Sequence, residues 1–136
     1  MKKNISLFLF FIVAALVSCG NNDPKAHTSI EGSWRCEEYN PISGQRIYIV
    51  DIDRKKSDTT QYVVSNFYNV DELEFVIAKL NGKALTISPL QQIGTQQQLV
   101  VKSGSGVVSS DFRRIVFTYT IFNGQNDFDV QAVYSR

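Results

Sequence analysis

From about residue 30 onward, short apolar stretches rich in Val, Ile, Tyr, Phe and Thr alternate with groups of turn-forming residues. Such residues fit the pleated surface of a sheet, and no stretch repeats its apolar positions with a helical period. The pattern predicts eight strands, at about 32–39, 45–53, 61–66, 73–80, 84–88, 97–103, 113–122 and 128–135. We therefore expect an all-β domain.

Alternation within the last two predicted strands assigns their side chains to two faces, because successive residues of a strand point to opposite sides of the sheet. The apolar face contains Ile115, Phe117, Tyr119 and Ile121 in one strand and Phe128, Val130, Ala132 and Tyr134 in the other. The stretch at 73–80 has apolar residues at positions that would point to both faces of the sheet. It predicts a strand covered on both faces, or else a helical turn that begins at Asp71-Glu72.

Turn chemistry indicates which strands are neighbours. Asn81-Gly82 predicts a two-residue hairpin between the fourth and fifth strands, since Asn followed by Gly tolerates positive φ at both central positions. Asn123-Gly124 joins the last two strands by a similar argument, and Gly104-Ser105-Gly106 is interpreted as a turn.

Antiparallel strands joined by short turns either leave two bare sheet edges or close into a barrel. Closure removes the edges and is a common solution for eight strands. The pattern predicts a small eight-stranded antiparallel up-and-down barrel, with a two-sheet β-sandwich as the alternative.

The amino-terminal residues predict an export signal. Lys2 and Lys3 give a positive start, and an apolar run at 5–17 follows that only Ser6 interrupts. The alternative, a transmembrane helix, needs about 20 apolar residues, so this run is too short to cross a bilayer.

The end of this run, Leu16-Val17-Ser18-Cys19, resembles the bacterial lipobox, whose cysteine receives a diacylglycerol before cleavage ahead of it. The resemblance implies a lipoprotein with a signal peptide at 1–18, acyl chains such as palmitate on Cys19, and a tether at 19–29. Because two or more acyl chains anchor a protein stably, its partner would be a membrane of the cell envelope. We expect the outer membrane, on either its periplasmic or its surface face. An ordinary signal peptide followed by a chance cysteine is the alternative.

Charge and composition exclude two classes of protein. The 136-residue chain has 14 Lys+Arg, 13 Asp+Glu and a net charge of +1, without the basic excess typical of nucleic-acid binders. Loss of residues 1–18 would remove Lys2 and Lys3 and leave a net charge near −1. With 20% charged and 12% aromatic residues, the composition is not that of a disordered chain.

The first predicted strand opens with Gly32-Ser33-Trp34, which matches the Gly-x-Trp pattern of lipocalin-like barrels, where the tryptophan closes one end. With the runs at 62–69, 80–87, 104–106 and 117–121, the chain resembles the small lipocalin-like lipoproteins of Bacteroides and its relatives. The resemblance implies an eight-stranded calycin-type barrel at 30–136 on a lipid anchor, with no established molecular activity. It makes Trp34 the candidate ligand-binding residue at a barrel end.

Candidate chemistry in the rest of the chain is sparse. With Cys19 lipidated, Cys36 has no disulfide partner, and His27, the one histidine, lies in the tether, so we interpret Cys36 as a small buried apolar residue. Glu37 and Glu38 are adjacent on a strand, so they face opposite sides and do not form a catalytic carboxylate pair. A solvated face and a charge at the rim are the interpretation for them.

Two acidic groups are candidate cation ligands, and both are better explained as solvated clusters. Asp51 and Asp53 share a face and could bind a hard cation with Asp58, but their spacing lacks a calcium-loop pattern. Asp127 and Asp129 are interpreted in the same way. We therefore expect no catalytic residue, no metal and no cofactor.

Two further features concern the barrel ends. The glutamines 91, 92, 96, 97 and 98 around Gly94 predict a long loop, which is a candidate for the barrel mouth because such loops often carry binding residues. Arg113 or Arg114 could stack on Trp34, or both could be surface arginines.

The leading functional hypothesis is a non-enzymatic, lipid-anchored binding protein of the cell envelope that takes a small apolar or amphipathic ligand into the barrel. The alternative is an envelope accessory protein with a filled interior, which binds another protein or a glycan through its outer face or loops. A third hypothesis is a protease inhibitor that offers the loop at 54–60. An enzyme is the least expected class, and nucleic acid is not an expected partner.

Overall fold

A computed structural model describes residues 26–95 and 98–136. The predicted signal peptide, the lipidation site at Cys19, the first part of the tether, Gln96 and Gln97 lie outside these residues. The strands are β1 (Gly32–Asn40), β2 (Gly44–Arg54), β3 (Gln61–Ser65), β4 (Phe75–Asn81), β5 (Ala84–Ile87), β6 (Gln91–Ile93), β7 (Leu99–Val108), β8 (Arg114–Phe122) and β9 (Asp127–Ser135). A 3-10 helix, Phe67–Asn69, lies between β3 and β4. None of the helical structure in the described ranges is long and apolar enough to cross a membrane.

Eight of the strands form a closed antiparallel ring. Each pairs with its neighbour in the order β1, β2, β3, β4, β5, β7, β8, β9, and β9 returns to β1. The expected eight-stranded antiparallel barrel is confirmed, and the sandwich is not the fold. β6 lies outside the ring. It pairs with the first residues of β7, and β5 pairs with later residues on the same side of β7. A strand this short was not predicted.

The core lies inside the ring, and the alternation of β8 and β9 places it correctly. The residues buried from these two strands are Ile115, Phe117, Tyr119, Ile121, Val130, Ala132 and Tyr134. Phe128, which was assigned to the same face, is only partly buried. β4 differs from the expectation of two covered faces, because Val76 and Ala78 are buried whereas Phe75 is half-exposed. Leu73 precedes the strand in a turn and is 88% exposed.

Gly104-Ser105-Gly106 lies in the middle of β7, so its interpretation as a turn is wrong. The glycines are needed because the chain passes close to aromatic side chains of β8. A Cβ on Gly106 would lie 2.1 Å from Cδ2 of Phe117, and one on Gly104 would lie 2.9 Å from Cβ of Tyr119. Glycine within a strand often marks such a close approach.

We expect Gly106→Ala to destabilise the barrel by about 1–3 kcal/mol, because the new methyl group overpacks a core that cannot yield without displacing Phe117. The urea midpoint of unfolding measures the effect. Ser105→Ala is the matched control, since Ser105 is exposed on the same strand and should change stability by less than about 0.5 kcal/mol. Equal effects of the two variants would contradict the close approach.

The two predicted hairpins are confirmed, but their loops contain other residues than the predicted ones. Asn81 pairs with Ala84, so the loop between β4 and β5 consists of Gly82 and Lys83, not Asn81 and Gly82. Only the first loop residue, Gly82, has a positive φ (60°), as in a type II′ turn, which requires glycine at that position. Between β8 and β9, Phe122 pairs with Asp127, so four residues form the loop.

Candidate functional site at the barrel mouth

The strand connections define two ends of the barrel. The near end contains Ile30, the carboxyl terminus and the β2–β3, β4–β5 and β7–β8 connections. The far end, which we call the mouth, contains the β1–β2 and β8–β9 hairpins, the β3–β4 connection and the segment from β5 to β7.

Trp34 seals the near end. Its Nε1 donates a hydrogen bond to the carbonyl oxygen of Ile30 (2.8 Å), and the guanidinium of Arg136 lies 4.1 Å from the centre of its ring. Arg136 also donates to the carbonyl oxygens of Glu31 and Phe112. Trp34 therefore lies at a barrel end, and its role as a candidate ligand-binding residue stays a prediction. The arginine over its ring comes from the last residue of the chain, which the sequence did not suggest, and Trp34 is fully buried.

Glu38 is the main polar group of the interior, and its interpretation as a solvated or rim charge is wrong. It is 1% exposed. One carboxylate oxygen accepts hydrogen bonds from Nε (3.1 Å) and Nη2 of Arg46, and the other accepts them from the hydroxyls of Tyr48 and Tyr119 (2.5 Å). Glu37 points outward as expected and pairs with Arg35 at the surface.

Burial and charge act together in this cluster. Burial opposes the charged form of Arg46, but the hydrogen bond and the charge of Glu38 outweigh it, so the pKa of Arg46 lies above its ordinary value. Burial, reinforced by neighbouring groups, also raises the pKa of Tyr48 and of Tyr119 far above the usual range. The tyrosines therefore stay neutral, and their hydroxyls donate hydrogen bonds to a carboxylate whose charge Arg46 balances. This arrangement stabilises the wall of the mouth.

Cys36 lies on the same face of β1, two residues before Glu38. It is fully buried and free, which confirms its interpretation as a buried apolar side chain. Burial raises its pKa to about 12, so the thiol is inert at neutral pH. Nearby, the hydroxyl of Tyr134 is buried with no hydrogen-bond partner among the described residues, and burial raises the pKa of Tyr134 as well.

These groups predict a loss of stability at alkaline pH. Because the pKa of Cys36 is higher in the folded state than its ordinary 9.0, its contribution is complete below pH 9 and is lost as the pH approaches about 12. That loss reaches about 4 kcal/mol for Cys36, and the buried tyrosines add to it above about pH 10. The urea concentration at which half of the protein is unfolded should therefore fall steadily as the pH is raised from neutral to alkaline values.

The matched variant for this prediction is Cys36→Ala, which should flatten the first part of the alkaline decline. Absorbance of ionised tyrosine supplies a second measurement, because Tyr48, Tyr119 and Tyr134 should ionise only as the protein unfolds. Gradual ionisation of these tyrosines in the folded protein would contradict the prediction.

Phe67 enters the barrel from the mouth. The chain segment between β3 and β4 crosses this end, and Phe67 is 1% exposed, with its ring 4.6 Å from that of Tyr119 and 6.4 Å from that of Phe117. Phe117 stacks in turn on Tyr134. Aromatic side chains therefore fill the interior, and Phe67 covers it toward solvent.

The segment that carries Phe67 has a strained backbone. Asn66, Tyr68 and Asn69 have positive φ values of 54°, 60° and 53°. Asn tolerates this region, whereas a bulky residue such as Tyr adopts it at a cost of about 1–3 kcal/mol. The Tyr68 ring lies under the guanidinium of Arg46 (4.3 Å), and its hydroxyl accepts a hydrogen bond from the Asn40 amide. These contacts hold Tyr68 at the rim.

A cleft of about 560 Å³ opens at the mouth. Its lining consists of Arg46, Tyr68, Asn69, Val70, Asp71, Leu73, Glu74, Thr95 and Leu99. Most of these residues belong to the β3–β4 connection, and Leu99 alone is buried with the core. The cleft thus lies above the filled interior, and its size is within the usual range of ligand sites.

The predicted acidic candidates do not converge on one site. Asp51 accepts a hydrogen bond from Ser33. Asp58 accepts hydrogen bonds from the hydroxyl and the backbone N–H of Thr60 in the β2–β3 connection, and these bonds lower the pKa of Asp58. The Lys102 ammonium pairs with Asp127 (2.8 Å) at the other end of the barrel. Within 26–95 and 98–136, no group of three or more His, Cys, Asp or Glu side chains is arranged to hold a metal ion.

The glutamine-rich segment approaches the mouth only in part. Thr95 lines the cleft, as expected of a mouth loop, but Gln91 and Gln92 belong to β6. The Gln91 amide acts like a peptide group: its oxygen accepts from the Ile77 N–H (2.6 Å), and its nitrogen donates to the carbonyls of Ile77 and Ser88. It therefore satisfies the backbone of β4 where β5 ends.

The sequence did not suggest Arg46, Tyr68 or Phe67 as site residues, and they define the mouth. A signal for Glu38 existed, because it follows Trp34 and Cys36 at alternate positions on the inward face of β1. No protein-family model matches the chain, and a search of curated proteins found no similar sequence.

Proposed function

We propose that the protein is a non-enzymatic binding protein, held in the cell envelope by lipid on Cys19, that binds a glycan through the cleft at the barrel mouth. The observation that carries this proposal is a cleft of about 560 Å³ that opens outside an interior already filled by aromatic side chains. A filled interior favours recognition by loops over storage of a ligand inside the barrel.

The lining supports a hydroxyl-rich ligand. Asn69, Asp71, Glu74 and Thr95 supply hydrogen-bonding groups, whereas Val70, Leu73 and Leu99 supply apolar surface. A sugar presents both kinds of group, and an apolar lipid tail would leave the polar lining without partners. The alternative partner is another envelope protein, which would place a polar loop in the same cleft.

Titration of soluble envelope glycans into isotope-labelled protein, followed by NMR, tests the proposal. We expect shift changes confined to Arg46, to residues 68–74 and to Thr95 and Leu99. Thr95→Ala should weaken binding about fivefold, as expected for the loss of one hydrogen bond of about 1 kcal/mol from the lining. Thr86→Ala, on the exposed face of β5, is the matched control and should bind normally. Glycans that leave the mouth signals unmoved would contradict the proposal.

A second candidate function is the transport or storage of a small apolar ligand inside the barrel. It is favoured by Phe67, which separates solvent from the interior and lies between residues with strained backbone. Native mass spectrometry of the purified protein separates the two functions. A retained small molecule would favour the interior site, and a mass equal to that of the chain alone would favour the cleft.

The proposed anchor has its own test. Cys19→Ala should move the protein from the membrane fraction to the soluble fraction after cell lysis, because acyl chains on Cys19 would provide the stable membrane attachment. Unchanged fractionation would contradict lipidation, whatever the cleft binds.

A further inference from the structure

We propose that the near end of the barrel is a docking surface for the anionic headgroups of the bilayer that carries the anchor. The barrel then stands with its mouth pointing away from the membrane. The proposal rests on the proposed function in one respect, because the lipid anchor brings the protein to a membrane. The charge distribution from which the docking surface is argued does not depend on that anchor.

Folding separates charges that are mixed along the sequence. The basic residues at the near end are Arg54, Lys55, Lys56, Lys79, Lys83, Arg113, Arg114 and Arg136, and the acidic ones are Glu31, Asp51, Asp53, Asp58 and Asp111. Arg35 lies level with Arg114, but its ion pair with Glu37 leaves this balance unchanged. At the mouth the balance is reversed. The basic residues there are Arg46 and Lys102, and the acidic ones are Glu38, Asp71, Glu72, Glu74, Asp127 and Asp129.

The near-neutral net charge of the chain therefore hides an end-to-end asymmetry. Even with the carboxyl terminus counted, the near end has an excess of positive charge, and the mouth has an excess of negative charge. An anionic surface attracts the first and repels the second, so the field of the whole molecule favours one orientation.

Several of the near-end cations are exposed and available. Lys56, Lys79 and Arg114 are exposed and form no ion pair with another described residue. Others are held at this end by local contacts: the Lys83 ammonium lies 3.2 Å from the centre of the Phe112 ring, and Arg54 pairs with Glu31. The cations thus surround the end of the barrel without filling one pocket, which suits a surface better than a small ligand.

The path of the chain agrees with this orientation. Arg136 donates hydrogen bonds to the carbonyl oxygens of Ser29 and Glu31, so the described chain enters the barrel at the near end. Ser29 lies ten positions after Cys19, and a chain of that length reaches at most about 35 Å when fully extended. An anchor at Cys19 therefore keeps the basic end close to the bilayer and leaves the glycan cleft accessible.

Vesicle binding of the unlipidated chain that begins at Gly20 tests the docking surface separately from the anchor. This chain contains every strand of the ring, which closes within residues 32–135. We expect it to bind vesicles of phosphatidylcholine mixed with phosphatidylglycerol, to release when salt is raised, and not to bind phosphatidylcholine alone. No binding to the mixed vesicles at low salt would overturn the proposal.

Matched charge variants locate the surface. Arg114→Gln should weaken binding about fivefold, and the double variant Lys56→Gln with Arg114→Gln about thirtyfold, because each basic side chain near an anionic surface contributes about a factor of five. Lys102→Gln changes the net charge as much as Arg114→Gln does but lies at the mouth, so it should leave binding unchanged. Equal losses for Arg114→Gln and Lys102→Gln would overturn the proposal.

Trp34 reports the orientation, since it is the one tryptophan of the chain and lies at the near end. Energy transfer from Trp34 to dansyl-labelled lipid should be strong on anionic vesicles and fall as salt is raised. Binding without transfer would place another face on the membrane and would overturn the orientation. Membrane release by Cys19→Ala in cells tests the anchor alone, so failure of the anchor and failure of the docking surface are distinguishable.

Discussion

Glu38→Ala is expected to destabilise the protein by about 3–5 kcal/mol, one of the largest effects of any single substitution in this chain. Removal of one partner of a buried ion pair leaves the other charge uncompensated, which is far more costly than the pair is favourable. Here the partner Arg46 is only partly exposed, and the hydroxyls of Tyr48 and Tyr119 lose their acceptor at the same time. Chemical unfolding monitored by circular dichroism measures the change.

Glu37→Ala is the matched control for this prediction. Glu37 is the adjacent residue of the same type, but it points outward and pairs with Arg35 in an exposed salt bridge. Such pairs contribute about 0–1 kcal/mol, so the control should remain close to the parent protein. If both variants lost the same stability, the buried position of Glu38 would be wrong.

Glu38→Gln separates charge from hydrogen bonding. The amide oxygen of glutamine can still accept from one tyrosine hydroxyl, but it no longer balances Arg46. We expect a loss smaller than that of Glu38→Ala and larger than that of Glu37→Ala. Tyr119→Phe should cost about 0.5–1.5 kcal/mol, because it removes a single hydrogen bond.

The barrel was predictable because its strands obey a simple period. In β8, Ile115, Phe117, Tyr119 and Ile121 alternate with outward residues, and all four are buried. Turn residues such as Gly82 and Gly124 then placed antiparallel neighbours in order. Alternation and turn chemistry are local properties, so they can be recognised without knowledge of tertiary contacts.

β7 was predicted too short because two tertiary features hide its period. The register shifts between Val101 and Ser103, so Lys102 and Ser103 are both exposed and the alternation breaks. Beyond this bulge, Gly104 and Gly106 occupy inward positions that larger residues cannot use, since Phe117 takes the space. Glycine in a sequence indicates a turn more often than a close approach, and only the packing partner reveals the difference.

The candidate site was harder to predict because it depends on contacts between distant parts of the chain. Glu38 meets Tyr119, 81 residues away, and Arg136 closes the barrel beside Ser29, 107 residues away. A charged residue in a strand is usually solvated, so its inward position is recognised only once its partners are in place.

Phe67→Ala is expected to destabilise the protein by about 3–5 kcal/mol and to open the interior to small apolar molecules. The substitution removes a buried ring that contacts Tyr119 and Phe117, and a large cavity in an aromatic core is costly. The cavity would lie beneath the mouth, and a dry apolar cavity binds ligands such as benzene. Benzene should therefore raise the melting temperature of Phe67→Ala and leave that of the parent protein unchanged.

Leu73→Ala is the control from the same connection, since Leu73 is 88% exposed and its removal should change stability by less than about 0.5 kcal/mol. A loss below about 1 kcal/mol for Phe67→Ala would mean that the other aromatic residues fill the interior by themselves.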